Sequence, residues 1–292
     1  MTKKIGFIGM GIMGNPMAAN LLKSGADLMV FNRTLEKTNP LKKIGAKVAA
    51  SPSELAGWAD VIILMVTGPE AINSIVNGPG GILEAENEGK TLINMSTVSP
   101  EYSKLLSALM EKNGIFFIDA PVSGSKKPAE EGTLVVLAGG DKELVDRFEP
   151  LLLKMSKKVV YCGEAGKGSG MKMVVNLLLG IMMEGLCEAI NLGRRTGLSM
   201  ESMLDTLLSG PLGCGLFSLK TGMLESGDYS PQFPLKHMTK DIRFVLQTAD
   251  NVGAAVPAVN AVFQVYRQAV GHQMGDLDFA AVKKILEVMS DR

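Results

Sequence analysis

The chain has 292 residues, long for one domain against the usual ~100–200, so two domains are expected. Its 30 basic and 30 acidic residues balance, which leaves no global field of the kind that draws a protein to nucleic acid. Three cysteines (Cys162, Cys187, Cys214) and two histidines (His237, His272) are too few and too scattered for a disulfide framework, a zinc site or a serine–histidine relay. A reducing cytoplasm fits, with the cysteines as small buried hydrophobes.

Read in chain order, the first element is a strand over Lys4–Ile8. Glycines at 6, 9, 11 and 14 break the apolar run that would otherwise resemble a secretory signal. Gly9, Met10, Gly11, Ile12, Met13 and Gly14 follow that strand and open a predicted helix running to Lys23. In this context the first glycine permits a tight turn, the second lets backbone amides approach a pyrophosphate, and the third allows close packing of helix on strand. The second strand, Leu28–Phe31, ends in Asn32-Arg33-Thr34. An NAD site would place a carboxylate about 20 residues after the glycines, to hold the ribose 2′-hydroxyl. Here it is missing, and Arg33 offers a planar charged fork with Asn32 and Thr34 as neutral donors, so NADP(H) is the expected cofactor. A solvated Arg33 and a helix-capping Thr34 are the plainer reading.

Further strands are expected over Val61–Met65, Thr91–Asn94, Phe116–Asp119, Thr133–Ala138 and Val159–Tyr161, alternating with helices in the rhythm of a parallel sheet with crossovers. Ser51-Pro52-Ser53-Glu54 reads as a capping box and Ser99-Pro100-Glu101 as a similar cap, before a helix that stops at Asn113-Gly114. Ala120 to Ser125 follows the strand ending at Asp119, where open α/β sheets meet ligands; Ser123 and the backbone of Gly124 can grip a carboxylate there, although both are also ordinary loop residues.

From about Gly166 the strand signals vanish. Helices are expected over Met171–Arg195, Ser199–Leu208, Leu235–Val252, Pro257–Val270 and Phe279–Met289. The fold class is therefore α/β: an N-terminal Rossmann-type doubly wound sheet over residues 1–163, followed by an all-α domain for substrate and oligomerisation over 164–292, with the boundary near Gly163–Gly168. The stretch Met171 to Ile190 carries Lys172, Asn176, Glu184 and Glu188, which makes it a buried helix rather than a membrane span. Its first half is apolar all round and should be covered by a neighbour. Lys172 lies among apolar residues, so it is either snorkelling or held for chemistry. Asn176, four residues on, shares its face. Lys236 and Lys240 lie one helical turn apart and read by themselves as a solvated basic face.

Taken in order, Gly9 to Lys23, Asp119 to Ser125, Gly168 to Asn176 and Lys240-Asp241 resemble the β-hydroxyacid dehydrogenase family over essentially the full length. That family includes 3-hydroxyisobutyrate dehydrogenases, tartronate semialdehyde reductases and glyoxylate/succinic semialdehyde reductases. The likeness is greatest to the last group, through Asn32-Arg33-Thr34, Ser123 to Glu130, Phe233 to His237 and Gly275 to Phe279. The resemblance implies Lys172 as general acid, Asn176 as its helix partner, and Ser123 with Gly124 on the substrate carboxylate. It also implies Thr97 between nicotinamide and substrate; Met65, Val66 and Lys240 along the cofactor; and Phe233 and Asp241 shaping the closed site.

The expected activity is NADPH-dependent reduction of a small carboxylate-bearing aldehyde, glyoxylate or succinic semialdehyde, without a metal. The Lys172 ammonium would stabilise and then protonate the oxygen, and in the oxidative direction an uncharged lysine would take the hydroxyl proton. The alternatives are a 3-hydroxyisobutyrate or other β-hydroxy acid dehydrogenase, and a catalytically silent NADP-binding interaction protein of the kind some relatives without the lysine represent. Expected partners are the small substrate and further copies of the chain, as homodimer or homotetramer, with neither nucleic acid nor membrane. The Met-rich second half, with Met171, Met173, Met182, Met183 and Met200, motivates the self-association.

Overall fold

The computed structural model describes residues 3–291, which form two compact units, one up to Lys172 and one from Met173. In the first, nine strands make one sheet: β1 (Ile5–Ile8), β2 (Leu28–Phe31), β3 (Lys47–Val48), β4 (Val61–Leu64), β5 (Thr91–Asn94), β6 (Phe116–Asp119), β7 (Val122–Ser123), β8 (Leu134–Gly140) and β9 (Ser156–Gly163). Their order is β3-β2-β1-β4-β5-β6-β8-β7, with β9 paired to β8. The helices between them are α1 (Gly14–Lys23), α2 (Asn39–Lys43), α3 (Pro52–Trp58), α4 (Pro69–Asn77), α5 (Pro100–Lys112), α6 (Lys126–Glu131) and α7 (Lys142–Leu152).

Successive strand residues point to opposite faces, and both faces are covered. Phe7, Ile63, Ile93 and Ile118 pack with Met17, Leu21 and Phe148 on one side. Ile8, Ile62, Leu64 and Leu92 pack with Leu55, Ile72 and Met110 on the other. Each such side chain, fully buried, contributes about 1.5–3 kcal/mol. Gly6 faces α3 so closely that a Cβ there would meet Leu55 Cδ2 at 2.2 Å. Ser51 Oγ accepts from the Glu54 amide at 3.0 Å and Ser99 Oγ from the Tyr102 amide at 3.2 Å, as the caps predict. The Glu54 carboxylate reaches back to Ala50 N (2.6 Å), one residue earlier than a strict box.

The sheet is not wholly parallel. β8 runs antiparallel to both β6 and β7, because the link from β7 contains only the short α6 and a left-handed Gly132 (φ 67°), too little chain for a crossover. The strands β3 and β7 escape the sequence pattern because two residues are too few to show alternation.

The helix α8 (Lys167–Arg195) contains the division between Lys172 and Met173. It starts four residues earlier than its apolar pattern suggests. The second unit consists of the rest of α8 with α9 (Met200–Ser209), α10 (Gly215–Ser226), α11 (Leu235–Val252), α12 (Pro257–Gly271) and α13 (Val282–Ser290), preceded by a 3-10 turn at Phe279–Ala281. Met183, Ile190, Met238, Ile242, Val259, Tyr266 and Ile285 form its core. α10 was not expected from the sequence, since two glycines, Gly215 and Gly222, and a weak apolar stripe hide its period.

α8 has the length and apolarity of a membrane span, but it is packed into protein. A Cβ on Gly180 would meet Met238 Cε at 2.8 Å, and Asn176 and Glu184 are buried. Within a single copy it lacks the full cover that its apolar composition calls for: Val174 is 63 % and Leu178 56 % exposed. Of the methionines that motivate self-association, Met173 and Met183 belong to the core of this unit. Of the cysteines, Cys187 is buried, whereas Cys162 and Cys214 are partly exposed.

Candidate active site

In the first unit the carboxyl ends of four parallel strands are level, with Ile8 opposite Leu64, Leu64 opposite Asn94 and Asn94 opposite Asp119. Strand order reverses between β1 and β4, the switch point at which open α/β sheets take ligands. Gly9 stands there with φ 106°, and a Cβ on it would meet Met65 O at 2.2 Å and Val66 Cγ1 at 2.8 Å. This contact brings Met65 and Val66 against the glycine loop. A Cβ on Gly14 would meet Gly9 O at 1.8 Å, so the third glycine lets α1 close on β1. A Cβ on Gly11 meets nothing within 4 Å, which leaves its face open. Met10 is buried and Ile12 exposed. Met13, at the N-cap of α1, makes no side-chain cap, and the first turn carries no acid.

At the end of β2, Asn32 Oδ1 accepts from the Met10 amide (2.9 Å) and its Nδ2 donates to Thr34 O (2.8 Å). Asn32 thus ties the glycine loop to the neighbouring strand. Arg33 is exposed. Thr34 precedes a 3-10 turn, yet its hydroxyl makes no capping hydrogen bond.

Thr97 follows β5 and is partly buried; one residue before it, Ser96 Oγ accepts from the Val66 amide at 2.9 Å. Ser123 pairs with Val135 across β7 and β8, and Gly124 follows in a left-handed conformation (φ 129°) where a Cβ would meet Leu134 Cδ2 at 2.7 Å. Lys172 lies on the second turn of α8 and is only 7 % exposed. The start of that helix is held by Asp119, whose Oδ2 accepts from the Ser169 amide (2.7 Å) and whose Oδ1 accepts from the Gly166 amide (3.1 Å). Burial pushes the Asp119 carboxyl up, and the two amides pull it back.

In the second unit, Asn176 Nδ2 donates to Asp241 Oδ2 at 2.8 Å, and Lys240 Nζ stands 2.7 Å from Asp241 Oδ1. Asn176 is fully buried, and its Oδ1 accepts no hydrogen bond among the described residues. Lys236 is occupied elsewhere, in an ion pair with Asp276. Phe233 stacks edge-on against Phe279, with centroids 5.6 Å apart. Its amide and that of Gln232 donate to Asp278 Oδ2, both at 3.0 Å. The other Asp278 oxygen pairs with buried Lys220 Nζ at 2.7 Å.

The profile of the NAD binding domain of 6-phosphogluconate dehydrogenase matches residues 4–163, and that of the NAD-binding region of NADP-dependent 3-hydroxyisobutyrate dehydrogenase matches 166–286. Glyoxylate/succinic semialdehyde reductase 1 of Arabidopsis thaliana is 40 % identical over 96 % of both chains. The chloroplastic reductase 2 of the same plant is 39 % identical over all of this chain and 81 % of its own. The chain belongs to the β-hydroxyacid dehydrogenase family.

Among solved structures of the family, the 3-hydroxyisobutyrate dehydrogenase of Mycobacterium tuberculosis, described with L-serine, superposes with a TM-score of 0.87 at 30 % identity, over 98 % of this chain and 99 % of that one. The human cytokine-like nuclear factor N-PAC is 34 % identical, but this chain spans only 51 % of it.

This member of the family is an NADP-binding oxidoreductase, and its own residues fit the dinucleotide. The open face above Gly11 and the uncapped, acid-free start of α1 leave helix amides for a diphosphate. A surface cleft of about 400 Å³ opens over Gly11 and Ile12 and reaches Lys23 and Lys126, but neither Ser123 nor Lys172 lines it. Three parts of the site are not legible in the sequence: the Asn32 tie, the Asp119 anchor and the Asp278 network. Asn32 and Asp119 share one signal, a polar residue at the end of an apolar strand run, and Asp278 lacks it.

Proposed function

We propose that this chain reduces a small carboxylate-bearing aldehyde, glyoxylate or succinic semialdehyde, to the hydroxy acid with NADPH, and that Lys172 is the general acid. The observation that carries this reading is the burial of Lys172 on a helix whose start is tied to the end of β6, four residues before Ser123. A lysine is seldom buried without a task. The names of the Arabidopsis relatives supply the substrate class.

When bound, NADPH supplies the hydride to the aldehyde carbon. As the carbonyl oxygen gains charge, Lys172 Nζ stabilises it and hands it a proton. The Ser123 hydroxyl and the Gly124 backbone hold the substrate carboxylate, and Thr97 borders the reacting carbon. Asn176, whose Oδ1 has no hydrogen-bond partner among the described residues, is assigned as the helix partner of Lys172. Met65, Val66 and Lys240 line the nicotinamide end, Phe233 and Asp241 shape the pocket, and Arg33 takes the 2′-phosphate.

The Lys172→Ala enzyme is expected to bind NADPH about as tightly as the parent while kcat falls roughly 10²–10⁴-fold. Full turnover by that variant would remove the assigned role. A second reading, oxidation of 3-hydroxyisobutyrate with Lys172 as base, is favoured by the fold match to 3-hydroxyisobutyrate dehydrogenases.

The chain is also assigned self-association. Val174, Leu178 and Leu192 stand 56–68 % exposed on α8, apolar surface of the kind that a second copy covers. Light scattering at micromolar concentration should give a dimer or larger, and a monomer mass would contradict it.

A further inference from the structure

We infer that Asp119 is a positioning residue: its carboxylate fixes the start of α8 on the sheet and so sets where the Lys172 ammonium stands. This inference rests on the assignment of Lys172 as proton donor. Asp119 is fully buried at the last position of β6, and each of its oxygens receives a different amide of the α8 start, from Gly166 and from Ser169. The first amides of a helix have no partner within it. Asp119 therefore acts as a cap delivered from a strand some 50 residues away, where helix-terminal charge and hydrogen bonding both favour a carboxylate.

The fit around it leaves no slack. A Cβ on Gly139 would meet Asp119 Oδ1 at 2.4 Å and Gly168 N at 2.7 Å, and one on Gly168 would meet Leu137 O at 2.3 Å. Helix and sheet touch there backbone to backbone. Lys172 follows Ser169 by three residues, less than one turn or about 4.5 Å of rise, so a shift at the anchor passes to the ammonium almost undiminished. The chain runs on from β6 through Ala120-Pro121 into β7, which carries Ser123, so one residue references both the lysine helix and the segment assigned to the carboxylate.

A double-mutant cycle on kcat, read from NADPH fluorescence with glyoxylate and succinic semialdehyde, tests this. Asp119→Asn preserves volume but turns one acceptor into an NH2 that faces an amide N–H. In the parent it is expected to lower kcat about 10–100-fold, the cost of a sub-ångström to 1 Å misplacement, with the NADPH Kd unchanged. In the Lys172→Ala background it should cost almost nothing, because the group it positions is gone. Gly139→Ala, which wedges a methyl between Asp119 and Gly168 while leaving the carboxylate in place, should follow the same pattern and serves if Asp119→Asn does not fold. Equal losses in both backgrounds, or unchanged kcat in the parent, would overturn the positioning role. Full activity of Lys172→Ala alone would instead sink the assignment of the lysine, which separates the two failures.

Discussion

Arg33 stands exposed at the end of β2, where an NAD site would carry an acid. If its guanidinium holds the 2′-phosphate, Arg33→Ala gives up a charge-assisted hydrogen-bond pair of about 1.5–3 kcal/mol. NADPH affinity should then drop roughly 10–100-fold by calorimetry while NADH affinity holds, and parallel losses for both cofactors would contradict the role. At this scale the glycine loop was readable from the sequence because each glycine answers to a local demand: a φ of 106° at Gly9, an open face at Gly11, contact with β1 at Gly14. The work of Asn32 was not, since its partner Met10 lies on a different strand end and hydrogen bonds across 22 residues leave no periodic trace. Asp119 shows in the sequence only as the end of a strand, for the same reason.

α8 shows what composition conveys about an element and what it hides. Its helicity and length follow from the run of good helix formers, but which face is covered depends on neighbours that the sequence does not order, hence the exposed Val174 and Leu178. The direction of β8 was hidden likewise, because an apolar run reads the same parallel or antiparallel. On the same helix the Glu184 carboxyl is pushed up from 4.5 to about 7, by burial first and then by Glu188 beside it. A carboxyl raised on folding contributes its full stability below the unfolded value and loses it as pH rises through the folded one, here between about 4.5 and 7. Glu184→Gln is therefore expected to raise Tm more at pH 8 than at pH 5. An equal shift at both pH values, or a lower Tm at pH 8, would count against it.

Across the whole molecule, the change of rhythm near Gly166 was legible because strand-sized runs stop and helical spacing begins, and β9 does end at Gly163. The compact units nevertheless divide between Lys172 and Met173, since the first turns of α8 are packed on the sheet through Asp119. The buried Lys220–Asp278 pair has a comparable place in the helical unit, where it organises the Phe233 segment, and nothing in the local pattern announces it. Family membership joins these parts into an oxidoreductase. The most direct measurement is the initial rate with glyoxylate and succinic semialdehyde, run with NADPH and NADH in parallel and set against 3-hydroxyisobutyrate oxidation with NADP+. The highest kcat/KM is expected for aldehyde reduction with NADPH. No turnover of either aldehyde, or a clear preference for 3-hydroxyisobutyrate, would contradict it.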